Sequence, residues 1–215
     1  MRRGPLVSAL CLAVAAPAGA GERWRVELGI GSASSFGSTL RVEQAGFPEL
    51  THAADWSTRA FDSPIYYALR LARADAKGAW GLRFLHHKTY LENTTSEIDR
   101  FAVSHGYNLL TLERATRLRG FELALGLGLV IAHPESTVRG QTLDEGSGGP
   151  FGGGYDLTGP TAAVAAVRRL ALGAHLALVP ELRFTLSRAR VPVAGGEASV
   201  PNAALHFSLG LELRF

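Results

Sequence analysis

Leu205-His206-Phe207-Ser208-Leu209-Gly210-Leu211-Glu212-Leu213-Arg214-Phe215 is the stretch that decides the fold. Apolar residues take every second position: Leu205, Phe207, Leu209, Leu211, Leu213 and Phe215. His206, Ser208, Gly210, Glu212 and Arg214 fill the places between. Successive side chains of a β-strand point to opposite faces, so this period gives one hydrocarbon row and one polar row. A half-buried strand of a soluble protein alternates in the same way. An unbroken apolar row closing on an aromatic residue favours lipid on one side and a polar barrel interior on the other.

Reading outward in the same phase yields seven further strands. They are expected at about 24–34, 64–73, 80–91, 101–112, 121–131, 157–167 and 172–187. The fifth is the cleanest, with Phe121, Leu123, Leu125, Leu127, Leu129 and Ile131 alternating with Glu122, Ala124, Gly126, Gly128 and Val130. The sixth is the weakest, because it carries Pro160 and many alanines, and 162–172 reads equally as a helix by propensity. Pro180, in the seventh, needs a bulge or a non-donating position. Connections alternate between long (35–63, 92–100, 133–156, 189–201) and short (74–79, 113–120, and a tight Arg168-Arg169 turn). Long surface loops and short periplasmic turns alternate this way in membrane barrels. The expected class is all-β: an eight-stranded antiparallel transmembrane up-and-down barrel.

Composition narrows the setting. Arg2 and Arg3, an apolar run from Leu6 to Ala16, and Ala18-Gly19-Ala20 have the layout of a cleaved secretory signal, so 1–20 is expected to be removed and 21–215 to form the barrel domain. The only cysteine, Cys11, lies inside that signal behind Leu10, which disfavours lipidation and leaves the mature chain without thiol chemistry. Removing Arg2 and Arg3 from the formal +3 leaves the mature chain nearly neutral, so its basic pI does not point to nucleic acid. No later stretch approaches the ~20 apolar residues of a membrane helix, so spanning requires a closed barrel.

The signal, the alternation, the loop asymmetry and the terminal Phe215 together resemble the small outer-membrane barrels of the OmpA, OmpX and OmpW kind. The resemblance covers the whole mature length and rests on no family-specific motif. It implies the bacterial outer membrane, outer-membrane lipid and lipopolysaccharide as surroundings, recognition by the barrel-assembly machinery through the strand ending at Phe215, and a monomer. Such barrels serve in envelope integrity, adhesion, passage of small hydrophobic molecules or lipid modification, and fold alone does not choose among them.

The polar face, assigned to the lumen, carries Glu27, Glu122, Glu181 and Glu212 against Arg25, Arg70, Arg83, Arg183 and Arg214. An eight-stranded interior is just wide enough to be filled by side chains. Balanced charges at close quarters predict a compensated plug and not an open pore, since an unpaired buried charge is costly. The Gly-rich run 146–154 lacks the strand, helix and Lys-Ser/Thr pair of a phosphate loop and reads as a surface loop.

One constellation stands apart. With the hairpin centred near Thr95 and Ser96, His86 faces His105 and His87 faces Ser104. Arg83, His87, Ser104 and Asn108 then point to the lumen, and Phe84, His86, Lys88, Tyr90, His105 and Tyr107 point outward. The bland reading makes these an interfacial girdle above an interior hydrogen-bond network. A second reading has His86, Lys88, His105 and Tyr107 gripping lipopolysaccharide phosphates or another anion from the side. A third makes Ser104 and His87 nucleophile and base, with Asp99 or Glu97 as orienting acid. That reading follows a similarity, in size and architecture only, to outer-membrane lipid A deacylases and palmitoyltransferases. A structural or surface-binding role is preferred over that enzyme. A soluble lipocalin-style binder, with its apolar rows around a cavity, ranks third. No cofactor is expected, and no His or Cys spacing suggests a metal site.

Overall fold

In the computed structural model, which describes residues 23–143 and 153–215, eight long strands close into an antiparallel barrel. They are β1 (Arg23–Ser35), β2 (Tyr67–Ala74), β3 (Gly78–His86), β4 (Tyr107–Leu118), β5 (Phe121–Ala132), β6 (Asp156–Val167), β7 (Leu176–Val193) and β8 (Gly196–Arg214). Each pairs with its sequence neighbours, and β8 closes the ring on β1, with Gly29 opposite Gly210 and Glu27 opposite Glu212. The proposed signal, 1–20, and most of the Gly-rich run lie outside the described residues.

The apolar rows face outward. Leu28, Leu82, Leu125, Leu127, Leu182, Phe207, Leu211 and Leu213 are all exposed on the barrel wall. Their inward neighbours Glu27, Arg83, Ala124, Arg183, His206 and Glu212 are buried. Exposed leucine and phenylalanine all around a closed wall form a lipid-facing belt. This excludes the lipocalin-style alternative, which needs those rows turned inward.

Several expected boundaries move. The fourth strand starts at Tyr107 and not near 101, and its turn to β5 is the two residues Arg119 and Gly120, both with positive φ. Residues 113–118, read as a polar turn, continue the strand: Glu113 and Ala115 point inward while Arg114 points outward near the short-turn end of the barrel. The third strand ends at His86, and Thr89–Leu91 belongs to a different sheet. The stretch 189–201, expected as a loop, is the upper half of the β7–β8 hairpin, whose turn is at Ala194 and Gly195.

Above the belt the chain builds a second layer. The upper β7–β8 hairpin is extended by Ser38–Gln44 and Leu50–Ala54. Facing it is a five-stranded sheet ordered Gln141–Thr142, Glu135–Val138, Ile98–Val103, Thr89–Leu91 and Trp56–Ser57. Leu40, Val42, Trp56, Ile98, Phe101, Val103, Val191 and Val200 pack between them in one buried cluster. The alternation therefore inverts with height. On β7, Leu182, Phe184 and Leu186 point out within the belt, but Arg188 and Arg190 point out above it while Ala189, Val191 and Val193 point in. Lipid outside demands apolar outward residues, and water outside demands polar ones.

Candidate functional site

The lower lumen is filled by charge. Arg25, Arg70, Arg83, Arg169 and Arg183 meet Glu27, Glu113, Glu122, Glu181 and Glu212. Arg83 spans two strands, with Nη1 3.1 Å from Glu27 and Nη2 3.0 Å from Glu181. Arg183 reaches Glu113 at 2.7 Å and Glu181 at 2.8 Å. Arg70 lies 3.6 Å from Glu113, and Arg25 lies 2.9 Å from Glu122. Glu212 is shared by Arg169 at 2.7 Å and by Arg214 at the rim at 2.9 Å. Alanines and glycines on neighbouring inward positions, such as Ala72, Ala124, Ala165 and Gly126, leave room for the long arginines.

Two members of this network escaped sequence reasoning. Glu113 falls within the stretch 113–120 expected as a short turn, whereas the strand runs on to Leu118 and buries it in the lumen. Arg169 sits in the β6–β7 turn, has no strand parity to reveal it, and enters the lumen by side-chain length alone.

Over the charges lies an imidazole layer. His206 hydrogen-bonds with Thr185 at Nε2 (2.8 Å) and with the Tyr66 hydroxyl at Nδ1 (3.3 Å). The His87 ring meets it edge to face, 5.1 Å between centroids, and also packs against Tyr107. His206 was legible from the C-terminal alternation, which already puts it on the lumen face.

The candidate catalytic pair is not assembled. His87 is buried in this interior layer, whereas Ser104 donates to Glu135 and lies 3.2 Å from His105 Nδ1. The cause is register: Leu85 pairs with Leu109, so His86 falls opposite Asn108 and not opposite His105. Ser104, His105 and Glu135 do converge, but both oxygens meet the same ring nitrogen, His105 Nδ1. A relay needs nucleophile and acid on opposite nitrogens of the imidazole. Arg100 also pairs with Glu135, Glu97 is held by Arg139, and Asp99 is exposed on the second sheet.

The four candidate lipid-contacting residues also separate. Tyr107 points inward, not outward, and its hydroxyl donates to the Val200 carbonyl at 3.0 Å. Asn108, expected in the lumen, takes the outward side and bonds His86 Nδ1 at 2.7 Å. His86 and Lys88 keep the outward parity but are buried. The His86 ring stacks on Tyr67 at 5.0 Å, and Lys88 Nζ donates to the Asp62 carbonyl in the segment that runs over it. Of the four, His105 alone stays half exposed, 4.8 Å from the His133 ring, which in turn meets Tyr155 at 5.0 Å. Among the described residues no three His, Cys, Asp or Glu side chains come together as metal ligands.

No protein-family model and no curated protein matches the chain. Solved structures do. Ail, the attachment invasion locus protein of Yersinia pestis, is 14% identical with a TM-score of 0.39, covering 91% of this chain and 99% of its own. The outer membrane protein OprG from Pseudomonas aeruginosa is 11% identical with a TM-score of 0.45, covering 91% and 96%. Neisserial surface protein A is 8% identical with a TM-score of 0.38, covering 91% and 97%. These similarities concern overall architecture alone. The closed ring, its apolar belt and its short-turn end make the chain a small eight-stranded β-barrel of the outer-membrane type.

Proposed function

We propose that this protein is a non-conducting barrel of the bacterial outer membrane, and that it serves as a structural and surface-binding element which holds a rigid β-sheet head above the lipid. One observation carries this reading: the lumen is closed twice, by the arginine–glutamate network below and by the apolar head core above. A transport role needs a path, and the ion pairs of Arg83 and Arg183 below and the buried apolar cluster above both stand across it. The head supports the surface role because its connections are β-structured, with an apolar interior and a charged exterior that includes Arg41, Glu43, Glu49, Arg190 and Glu197. Export by a cleaved 1–20 segment, insertion by the barrel-assembly machinery through the terminal strand, and a monomeric state complete the proposal.

Planar-bilayer recording tests it. Purified, heat-modifiable protein is expected to give no stable conductance steps. Regular steps from wild-type protein would refute the reading.

A further inference from the structure

A cavity of about 380 Å³ opens at the short-turn mouth of the barrel, lined by Arg23, Arg25, Arg117, Arg169 and Arg214. Strand parity brings four of them together. Arg23 and Arg25 follow the inward row of β1 that holds Glu27, Arg117 the row of β4 that holds Glu113, and Arg214 the row of β8 that holds Glu212. Arg25 and Arg214 are direct cross-strand partners. That places their Cβ atoms roughly 5 Å apart, and like charges so opposed repel. Ala74 and Ala171 line the same cavity and are too short to fill it.

The charges at this mouth do not balance. The five lumen glutamates already answer the five lumen arginines, Arg25 and Arg169 included. Arg23, Arg117 and Arg214 are added at the mouth without a carboxylate of their own. Arg117 stands 4.0 Å from Glu122, which Arg25 and Arg169 already hold, and Arg214 shares Glu212 with Arg169. Arg23 has no side-chain partner among the described residues. Asp75, which lines the cavity beside Glu122, is bonded by Arg114. Counting a terminal carboxylate at Phe215, whose oxygen accepts from the Trp24 amide, still leaves a surplus of two positive charges among the described residues. Arg169 also has donors to spare: its side chain is 9% exposed, yet neither Nη1 nor Nη2 makes a hydrogen bond of proper geometry among the described residues. A concave site ringed by one sign of charge concentrates counter-ions. Guanidinium forks match the paired oxygens of a phosphate, and a surplus of two matches the dianion of a phosphate monoester. The volume lies at the lower end of the roughly 300–1,000 Å³ of small-molecule sites, which leaves room for a small organic group beyond the phosphate.

We propose that the short-turn mouth is a binding site for a phosphate monoester, held between Arg23, Arg117, Arg169 and Arg214, either as a small soluble ester or as the phosphate of a lipid headgroup at the rim. That the mouth faces the periplasm rests on the function proposed above; the site itself rests on the arginine arrangement. The bound anion offsets the repulsion between Arg25 and Arg214. It also ties β1, β4, β8 and the β6–β7 turn to one another across the opening.

The test titrates the folded full-length protein with glycerophosphate at low ionic strength, reading phosphorus NMR line widths and the arginine Nε–H resonances. Saturable binding is expected, with shifts confined to the mouth arginines and an affinity that falls as salt is raised. Arg23→Gln combined with Arg117→Gln, both at exposed positions, should weaken binding by about tenfold or more. Arg23→Lys with Arg117→Lys should restore part of it, since charge returns without the fork. Arg188→Gln, at an exposed position on the head, should leave it unchanged. Heat-modifiable migration verifies that each variant is folded. Nanodiscs then identify the source of the phosphate. Displacement of glycerophosphate by phosphatidic acid, and not by phosphatidylcholine of the same chains, assigns the site to a lipid phosphate; displacement by neither assigns it to a soluble ester. Absence of saturable binding would overturn the inference. So would an affinity indifferent to the Arg23 and Arg117 changes, or one that Arg188→Gln lowers equally. Binding needs no conduction, so its failure would leave the planar-bilayer test of the closed barrel untouched.

Discussion

Arg83 shows how the lumen is held at the scale of a single residue. Its guanidinium joins Glu27 on β1 to Glu181 on β7 across the barrel axis, and it is 1% exposed. Removing one partner from a buried ion pair typically costs about 3–5 kcal/mol, because the other charge stays buried and unpaired. Arg83→Leu is therefore expected to lose stability of that order in urea unfolding from micelles. Arg83→Leu with Glu27→Leu should recover much of the loss, since Glu181 keeps Arg183. Equal instability of the single and double variants would show that Arg83 acts by packing and not by charge. Asp75 is the counterpart outside the membrane. The bond from Arg114, then the amides of Lys77 and Gly78, lower its pKa to about 2. A depressed carboxylate supports the fold fully above its ordinary value near ~4 and loses that support as pH falls toward the folded value. A carboxyl NMR titration should place its midpoint near 2, and the protection of the Lys77 and Gly78 amides, taken relative to their intrinsic exchange rate at each pH, should fall between pH ~4 and 2. A midpoint at the ordinary value would contradict the bonded turn.

Individual elements explain which parts of the chain could be read without coordinates. The C-terminal row, β1 and β5 are legible because lipid imposes one parity along their whole membrane-crossing length. Strand four is not, because Arg114 occupies an outward position where a hydrocarbon is expected and is tolerated there by Asp75 and Trp80. Once its start is misplaced by six residues, the His86, His87, Ser104 and Asn108 partners all change, which is why the candidate catalytic pair dissolves. The head is illegible for a different reason. Its strands obey the opposite parity, polar out and apolar in, so 189–201 looks like a loop when scanned for a lipid-facing row. Beside the apolar cluster, one polar link between its two sheets comes from a side chain that no periodicity marks: Asn93 accepts from the Asp55 amide at 2.8 Å and donates to the Ala53 carbonyl at 2.7 Å. Asn93→Ala should cost about 1–2 kcal/mol locally, read as roughly tenfold faster exchange of the Asp55 amide. Amides of the lower β8 strand, such as Leu211, should be unaffected, and equal acceleration in both places would mean that head and barrel open as one unit.

For the whole molecule, the two closures stand in series, and each is made of a different material. The lower one is a balanced set of five arginines and five glutamates, crowded inside a ring too narrow for water-filled passage. The upper one is apolar, built from buried inward residues such as Leu40, Leu85, Val130, Val191 and Val200. Barriers in series do not fail singly. Arg83→Ala opens space below but leaves the apolar layer intact. Replacing 189–200 with a two-residue Asn-Gly turn removes one wall of the head but leaves the charges locked together. Each change alone is expected to stay silent in planar bilayers, and the two combined are expected to give stable conductance steps. Steps from Arg83→Ala alone would show that the head is no seal. Silence of the combined variant, still heat-modifiable on gels, would show that the remaining pairs around Arg183 and Glu113 suffice and that the head exists for its outer surface and not for closure.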